Sequence, residues 1–313
     1  MTAAVRGEIE AGREGGAAAL LERSRQYCQE LTRREAKNFY YGLKLLKEPK
    51  RSAMYALYAY MRLVDDIADD ESNGRTVGQR AADLDQWAAL THEAIAAGSE
   101  AEAAPRGHIV WPAFGAMVRR YRVPVALFDE MIAGQRQDLE PVRMATFDDL
   151  HAYCYRVASV VGVASLYVWG FDGGEATVKL SVERGIAFQL TNVLRDLRED
   201  AAKGGAAGRC YLPADEMARF GVSEQQIARG EATGGFLELM RFQIERARGY
   251  YESSAPLHEK VAPDARATLG AMTAIYRGIL EKIAEEPGRV LRERVSLGKM
   301  KKLMIGWRAM RGG

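Results

Sequence analysis

The chain has 313 residues, 48% of them hydrophobic and 27% charged, which supplies a sizeable core and excludes a disordered composition. Lys and Arg number 44 against 42 Asp and Glu, a net charge of +2 that excludes a nucleic-acid footprint, and no ordered aromatic and basic motif of an RNA-binding module accompanies it. No apolar run reaches the roughly 18 residues of a membrane span. Cys28, Cys154 and Cys210 are odd in number and widely spaced, which fits a reducing compartment and buried thiols better than a disulfide framework. A cytoplasmic protein is expected.

Residues 1–18 mix Ala and Gly with Arg and Glu and lack the apolar stretch of a signal peptide, so they are expected to form a disordered tail ahead of one catalytic domain, 19–313. Helical patterning predicts helices over 20–37, 50–67, 78–97, 109–122, 124–137, 146–169, 176–199, 223–229, 235–254, 263–286 and 287–310. Asn73-Gly74, Asp172-Gly173-Gly174 and the Gly/Ala-rich stretch at 203–208 mark turns between them, the last a candidate lid. Strand signals are few, and the expected fold class is all-α, a single helical bundle around a central cavity.

Two acidic clusters carry the chemistry. In Asp65-Asp66-Ile67-Ala68-Asp69-Asp70 the acids recur at steps of four, and so do Asn192, Asp196 and Asp200 in the second cluster. On a helix this spacing stacks like charges along one face, which destabilises it by a few tenths of a kcal/mol per pair unless something compensates. Carboxylates and an amide oxygen without His or Cys are hard ligands suited to Mg²⁺ or Mn²⁺. Because Mg²⁺ takes few protein carboxylates and fills its shell from phosphate oxygens, the clusters predict a phosphate-bearing substrate. Each follows an Ala-, Leu- and aromatic-rich run, 53–64 and 186–191, that suits a buried helix delivering the acids to its end.

Together with Lys37-Asn38-Phe39-Tyr40-Tyr41, Tyr153-Cys154-Tyr155-Arg156-Val157-Ala158, Arg209-Cys210-Tyr211-Leu212-Pro213 and Glu293-Arg294-Val295, these clusters make the chain resemble the squalene/phytoene synthases, which join two prenyl diphosphates head to head. The resemblance covers nearly everything but the N-terminal segment. It implies an isoprenoid-synthase-type bundle with a dry, apolar cavity, in which Mg²⁺ bridges the diphosphate to the carboxylates, the allylic bond ionises, and coupling passes through a cyclopropylcarbinyl diphosphate. Carried over position by position, it implies Asp65, Asp66, Asp69, Asn192, Asp196 and Asp200 as metal-binding residues and Arg62 and Arg195 as holders of diphosphate oxygens. Tyr153 falls at a cavity tyrosine, and Tyr58, Gln189, Tyr276 and Arg294 at further substrate-facing positions, with Lys37, Asn38 and Phe39 near the diphosphate.

The resemblance leaves the product open. The preferred expectation is two farnesyl diphosphates giving presqualene diphosphate or squalene, with NADPH as hydride donor for squalene despite the lack of a Gly-x-Gly-x-x-Gly fingerprint. The alternative is two geranylgeranyl diphosphates giving phytoene. A non-catalytic prenyl-diphosphate-binding assembly subunit is a further alternative, which loss of the metal acids would favour and their presence does not. At the C-terminus, basic residues from Arg289 to Arg311 alternate with Val290, Leu291, Val295, Leu297, Met300, Leu303, Met304, Ile305 and Trp307. This predicts a helix basic on one side and apolar on the other, either packed on the bundle by its apolar side or peripheral at the inner membrane face.

Overall fold

The computed structural model describes residues 3–36, 39–69, 75–97, 107–140, 142–202 and 208–311, with side chains from 16 to 310. Among them every regular element is helical, and extended backbone meets only in isolated bridges at Arg143–Cys210 and Phe171–Val261. In chain order the α-helices are α1 (Ala3–Glu35), α2 (Phe39–Leu43), α3 (Lys50–Asp69), α4 (Val77–Ala96), α5 (Trp111–Tyr121), α6 (Ala126–Gln137), α7 (Phe147–Cys154), α8 (Val160–Trp169), α9 (Gly174–Ala202), α10 (Ala214–Arg219), α11 (Glu224–Ala228), α12 (Gly234–Ser253), α13 (Leu257–Lys260), α14 (Pro263–Glu285) and α15 (Lys299–Arg311). The helical backbone of α1 reaches back over most of the stretch expected as a tail.

Two helices place the acids. α3 has no Gly or Pro in its 20 residues and buries Ala56, Tyr60, Val64 and Ala68 at successive steps of four. Tyr60 stacks on Phe114 with ring centroids 4.2 Å apart and shares a 2.9 Å hydrogen bond with Thr91, fixing the roll of the helix. Burying one such side chain contributes about 1.5–3 kcal/mol. α9, at 29 residues, buries Ile186, Ala187, Leu190, Val193, Leu194 and Leu197 and packs against α12, α8 and α14. It leaves Gln189, Asn192, Asp196 and Asp200 only partly covered on another face.

The core has two lobes. One is built around α3 with α4, α5, α6 and α8; the other takes α7, α9, α12, α14 and the segment after it. Phe39, Val182 and Phe188 pack against both, so they mark the seam. The single helix expected over 146–169 is α7 and α8 joined by one π turn, Tyr155–Ser159. The widened turn brings Ser159 against α9, where its hydroxyl donates to the Val182 carbonyl at 2.7 Å. Only a glycine fits opposite: a Cβ on Gly185 would lie 2.5 Å from the Ser159 Cα.

The helix expected over 287–310 is two elements. A 3₁₀ turn, Pro287–Leu291, is followed by extended chain, and α15 begins only at Lys299. Val295 and Leu297 are buried in this connection while Arg294 reaches Asp196, contacts an unbroken helix would not make together. The cysteines are free; burial pushes the Cys28 thiol up to about 12 and Cys210 up to about 11, so both remain protonated. No helix among the described residues is long and apolar enough to cross a membrane.

Candidate active site

The acids of α3 and α9 face one another across a cleft of about 270 Å³ at the seam, lined by Arg62, Asp65, Asp69, Gln135, Asp138, Tyr153, Gln189, Asn192, Arg195, Asp196, Asp200, Arg209 and Tyr211. Each set lies in the last turns of its helix, α3 ending at Asp69 and α9 at Ala202. There the helix dipole presents its negative end, which disfavours carboxylates by about 0.3–1 kcal/mol each. Guanidinium groups offset part of this. Arg62 pairs with Asp66, Arg209 donates to Asp69 at 3.1 Å, and Asp196 receives both Arg195, at 2.8 and 2.5 Å, and Arg294, at 2.9 and 3.2 Å.

The offset is incomplete. The cleft lining has three guanidinium groups against five carboxylates. Burial pushes the Asp65 carboxyl up to about 7; Arg62 works against this, while Asp69, Asp138 and Asp66 add to it. With Arg294 also taken up by Asp196, the cleft has little positive charge to spare for an anionic diphosphate, and positive charge would have to enter with it. Two buried polar atoms of cleft residues have no hydrogen-bond partner, the Asn192 Oδ1 acceptor and the Arg62 Nε donor. Asn192 is oriented by its own amide nitrogen, which donates to Gln189 Oε1 at 3.1 Å and leaves the oxygen open. One orphan suits a cation and the other an anion. Among the described residues no three His, Cys, Asp or Glu side chains converge on a point.

Below the acids the lining becomes aromatic. Tyr153 is 4% exposed, stacks on Tyr211 at 4.9 Å, and donates to Asp138 Oδ2 at 2.9 Å, while Tyr211 donates to Oδ1 at 3.0 Å. Burial raises the Tyr153 hydroxyl far above its ordinary range, and the Asp138 carboxylate beside it adds to this, so it stays a donor. Tyr276 interacts with the Arg195 guanidinium and lies between Phe188, 4.6 Å away, and Phe39, 5.3 Å away.

Of the residues expected from the sequence, Asp65, Asp69, Asn192, Asp196, Asp200, Arg62, Arg195, Gln189 and Tyr153 line this one cleft. Arg294 reaches it through Asp196, and Tyr276 through Arg195. Asp66 is exposed and turned onto Arg62, so the metal role expected of it has no support in its position. Tyr58 and Phe39 are half-buried outside the lining, Phe39 in the aromatic layer against Tyr276. Lys37 and Asn38 lie outside the described residues, as does most of the candidate lid, 203–207. Sequence reasoning missed Gln135 and Asp138, at the end of α6, because a lone Gln and Asp carry no spacing signal. Gln135 donates to Asp65, and Arg209 fastens both Asp69 and the Asp138 carbonyl. Arg209 and Tyr211 stood in a motif whose individual roles the sequence did not separate.

An all-α bundle in which two helices bring facing acids to one cleft is the architecture of the isoprenoid-synthase class of enzyme. Residues 32–301 match the squalene/phytoene synthase family model, and the chain belongs to that family. It is 35% identical over 300 residues to the phytoene synthase of Arthrospira platensis, covering 90% of each chain, and 34% identical over 302 residues to the 15-cis-phytoene synthase of Synechococcus elongatus, covering 93% and 94%. Among solved structures it is similar to a dehydrosqualene synthase with bound ligand, at TM-score 0.81 and 26% identity over 93% of this chain and 96% of that one. It also resembles a squalene synthase from Alicyclobacillus acidocaldarius, at TM-score 0.75 and 26% identity over 86% and 95%. The protein is therefore a prenyltransferase of the head-to-head type.

Proposed function

We propose that the protein is a phytoene synthase, coupling two geranylgeranyl diphosphates head to head with loss of both diphosphates and a proton. This replaces the preference for farnesyl diphosphate drawn from the sequence. Its support is that the relatives matched at 33–35% identity over about nine-tenths of this chain are phytoene synthases, whereas the squalene-type structures stand at 26%. Coupling to phytoene ends in proton loss and consumes no hydride, so NADPH has no part in this reading.

The observation that carries the chemistry is the cleft's excess of carboxylates together with its two orphans, Asn192 Oδ1 and Arg62 Nε. Asp65, Asp69, Asn192, Asp196 and Asp200 would hold Mg²⁺, which when bound neutralises the diphosphate as a leaving group. Arg62 and Arg195 donate to diphosphate oxygens through their forked guanidinia. Arg294 and Tyr276 keep Asp196 and Arg195 in place for that task. The prenyl chains lie toward the seam, where Phe188, Tyr276 and Tyr58 exclude water from the allylic cation and turn ring faces toward it. Tyr153, whose hydroxyl donates to Asp138, forms one wall of the cleft that receives the diphosphate.

The test is incubation of the purified protein with geranylgeranyl or farnesyl diphosphate and Mg²⁺, each with and without NADPH, and extraction of the hydrocarbons. Phytoene from the first substrate, independent of NADPH, is the expected result. Preferential consumption of farnesyl diphosphate would return the assignment to the squalene branch, and diphosphate release from neither would favour a binding subunit.

A further inference from the structure

α15 is built inside out relative to an ordinary surface helix. It rests on α14 and α2 through Lys302, Ile305, Gly306 and Ala309, which recur at helical spacing and are buried or half-buried. Its large apolar residues turn the other way. Met300 is 76% exposed, Leu303 52%, Met304 49%, Trp307 49% and Met310 56%; apart from Val77 they are the exposed large hydrophobics of the described residues. At 100° per residue these five occupy one arc, bordered by Lys301 and Arg308 on one side and Lys299 on the other. All three of those basic residues are exposed.

We propose that this face of α15, with Met300, Leu303, Met304, Trp307 and Met310 between Lys299, Lys301 and Arg308, docks the protein on an anionic lipid surface. Charge selects the occupant. From Arg294 to Gly313 the sequence has no Asp or Glu, so α15 and the chain leading into it bring only cations to the border of the apolar arc. A second copy of the chain would set the same basic residues against each other, because a two-fold contact pairs a patch with itself. Acidic headgroups supply the opposite charge, and the interfacial region accepts Trp, Met and Leu. Lys302 takes no part, since it is 8% exposed on the packed side. The helix is also well placed. Arg294, which holds Asp196, precedes Lys299 by five residues, a stretch that spans less than about 18 Å even fully extended. α2 beneath α15 carries Phe39 of the aromatic layer. Docking would bring the cleft close to the lipid.

The full chain should co-sediment with phosphatidylglycerol vesicles and not with phosphatidylcholine vesicles, and about 1 M salt, which shortens the Debye length to about 3 Å, should release it. Replacing Lys299, Lys301 and Arg308 by Glu should weaken binding by about fivefold or more for each lost positive charge. Leu303→Ser with Met304→Ser should weaken it as well, and neither set should alter turnover in detergent. Trp87, Trp111 and Trp169 are buried at 8%, 0% and 4% exposure, so the Trp307 indole reports directly. Its emission should shift to the blue on anionic vesicles, and Trp307→Phe should remove that shift. Equal sedimentation with both vesicle types, none with either, or a vesicle-free dimer broken by the Leu303 and Met304 changes would overturn the proposal.

Discussion

Asp196 shows how much one side chain is asked to do, since two guanidinium groups fork onto its two oxygens and one of them, on Arg195, is 8% exposed. Asp65 is held from α6 by Gln135 and crowded by Asp69 and Asp138. Asp65→Ala and Asp196→Ala should each lower kcat by at least about a hundredfold to a thousandfold, the scale of losing one charge-stabilising group at a transition state. Circular dichroism should show the helices intact, and near-normal turnover in either variant would remove the cleft from the mechanism. Asp138 is a positioning residue that acts through Tyr153 and Tyr211. Asp138→Asn keeps the shape but sets an amide nitrogen against one tyrosine hydroxyl, so kcat should fall by about ten- to a hundredfold, as for loss of a supporting hydrogen bond. A merely structural role would lower Tm and leave kcat of the folded fraction unchanged. Half of this chemistry was legible in the sequence, because Asp65/Asp69 and Asn192/Asp196/Asp200 announce themselves by spacing. Gln135, Asp138 and Arg209 do not, since their partners are 70, 15 and 140 residues away.

At the scale of elements, α9 is the part on which the site depends, and its contact with the π turn sets its height in the bundle. Gly185→Ala would gain up to about 1 kcal/mol of helix propensity. The added Cβ would sit 2.5 Å from the Ser159 Cα and 2.8 Å from its backbone nitrogen, atoms that cannot rotate away. Overpacking of this kind costs about 1–3 kcal/mol and should win, lowering Tm by several degrees. Because the shift propagates to Gln189 and Asn192 on the next turns, KM for the diphosphate should rise too. An unchanged Tm would mean that the close approach is relaxed in solution. The helical patterning located α3 and α9 well, yet no local signal announced the π turn, which exists because another helix presses on it. The predicted 287–310 helix failed for the same reason: Arg294 is drawn out of helical register by Asp196, and residues 294–298 run free of helix and bury Val295 and Leu297.

At the scale of the whole molecule, the carboxylates proposed to hold Mg²⁺ come from different lobes, α3 from one and α9 from the other. Mg²⁺ and diphosphate bound together would span the seam, whereas either alone lacks its complement. Mg²⁺ with inorganic diphosphate should therefore raise Tm together far more than either does singly, by the equivalent of about 2.7 kcal/mol at a hundred times the dissociation constant. Asp65→Ala and Asp196→Ala should each abolish the joint rise. Additive, independent effects of the two ligands in a thermal-shift assay would show that the lobes are not bridged. EDTA should stop turnover, with Mg²⁺ restoring it, and leave the Tm of the free protein unchanged.

By itself the sequence determined the helical class, because apolar residues at steps of three and four leave a helix one face to bury, and it determined that the acids of each cluster stand together, because residues spaced by four fall on one face of a helix. What it did not contain was distance. That Asp65 and Asp196 share a cleft, that Asp138 steadies Tyr153, and that the apolar face of α15 looks outward were decided by tertiary packing. Each depends on which helix lies against which, and a local pattern of residues does not carry that information.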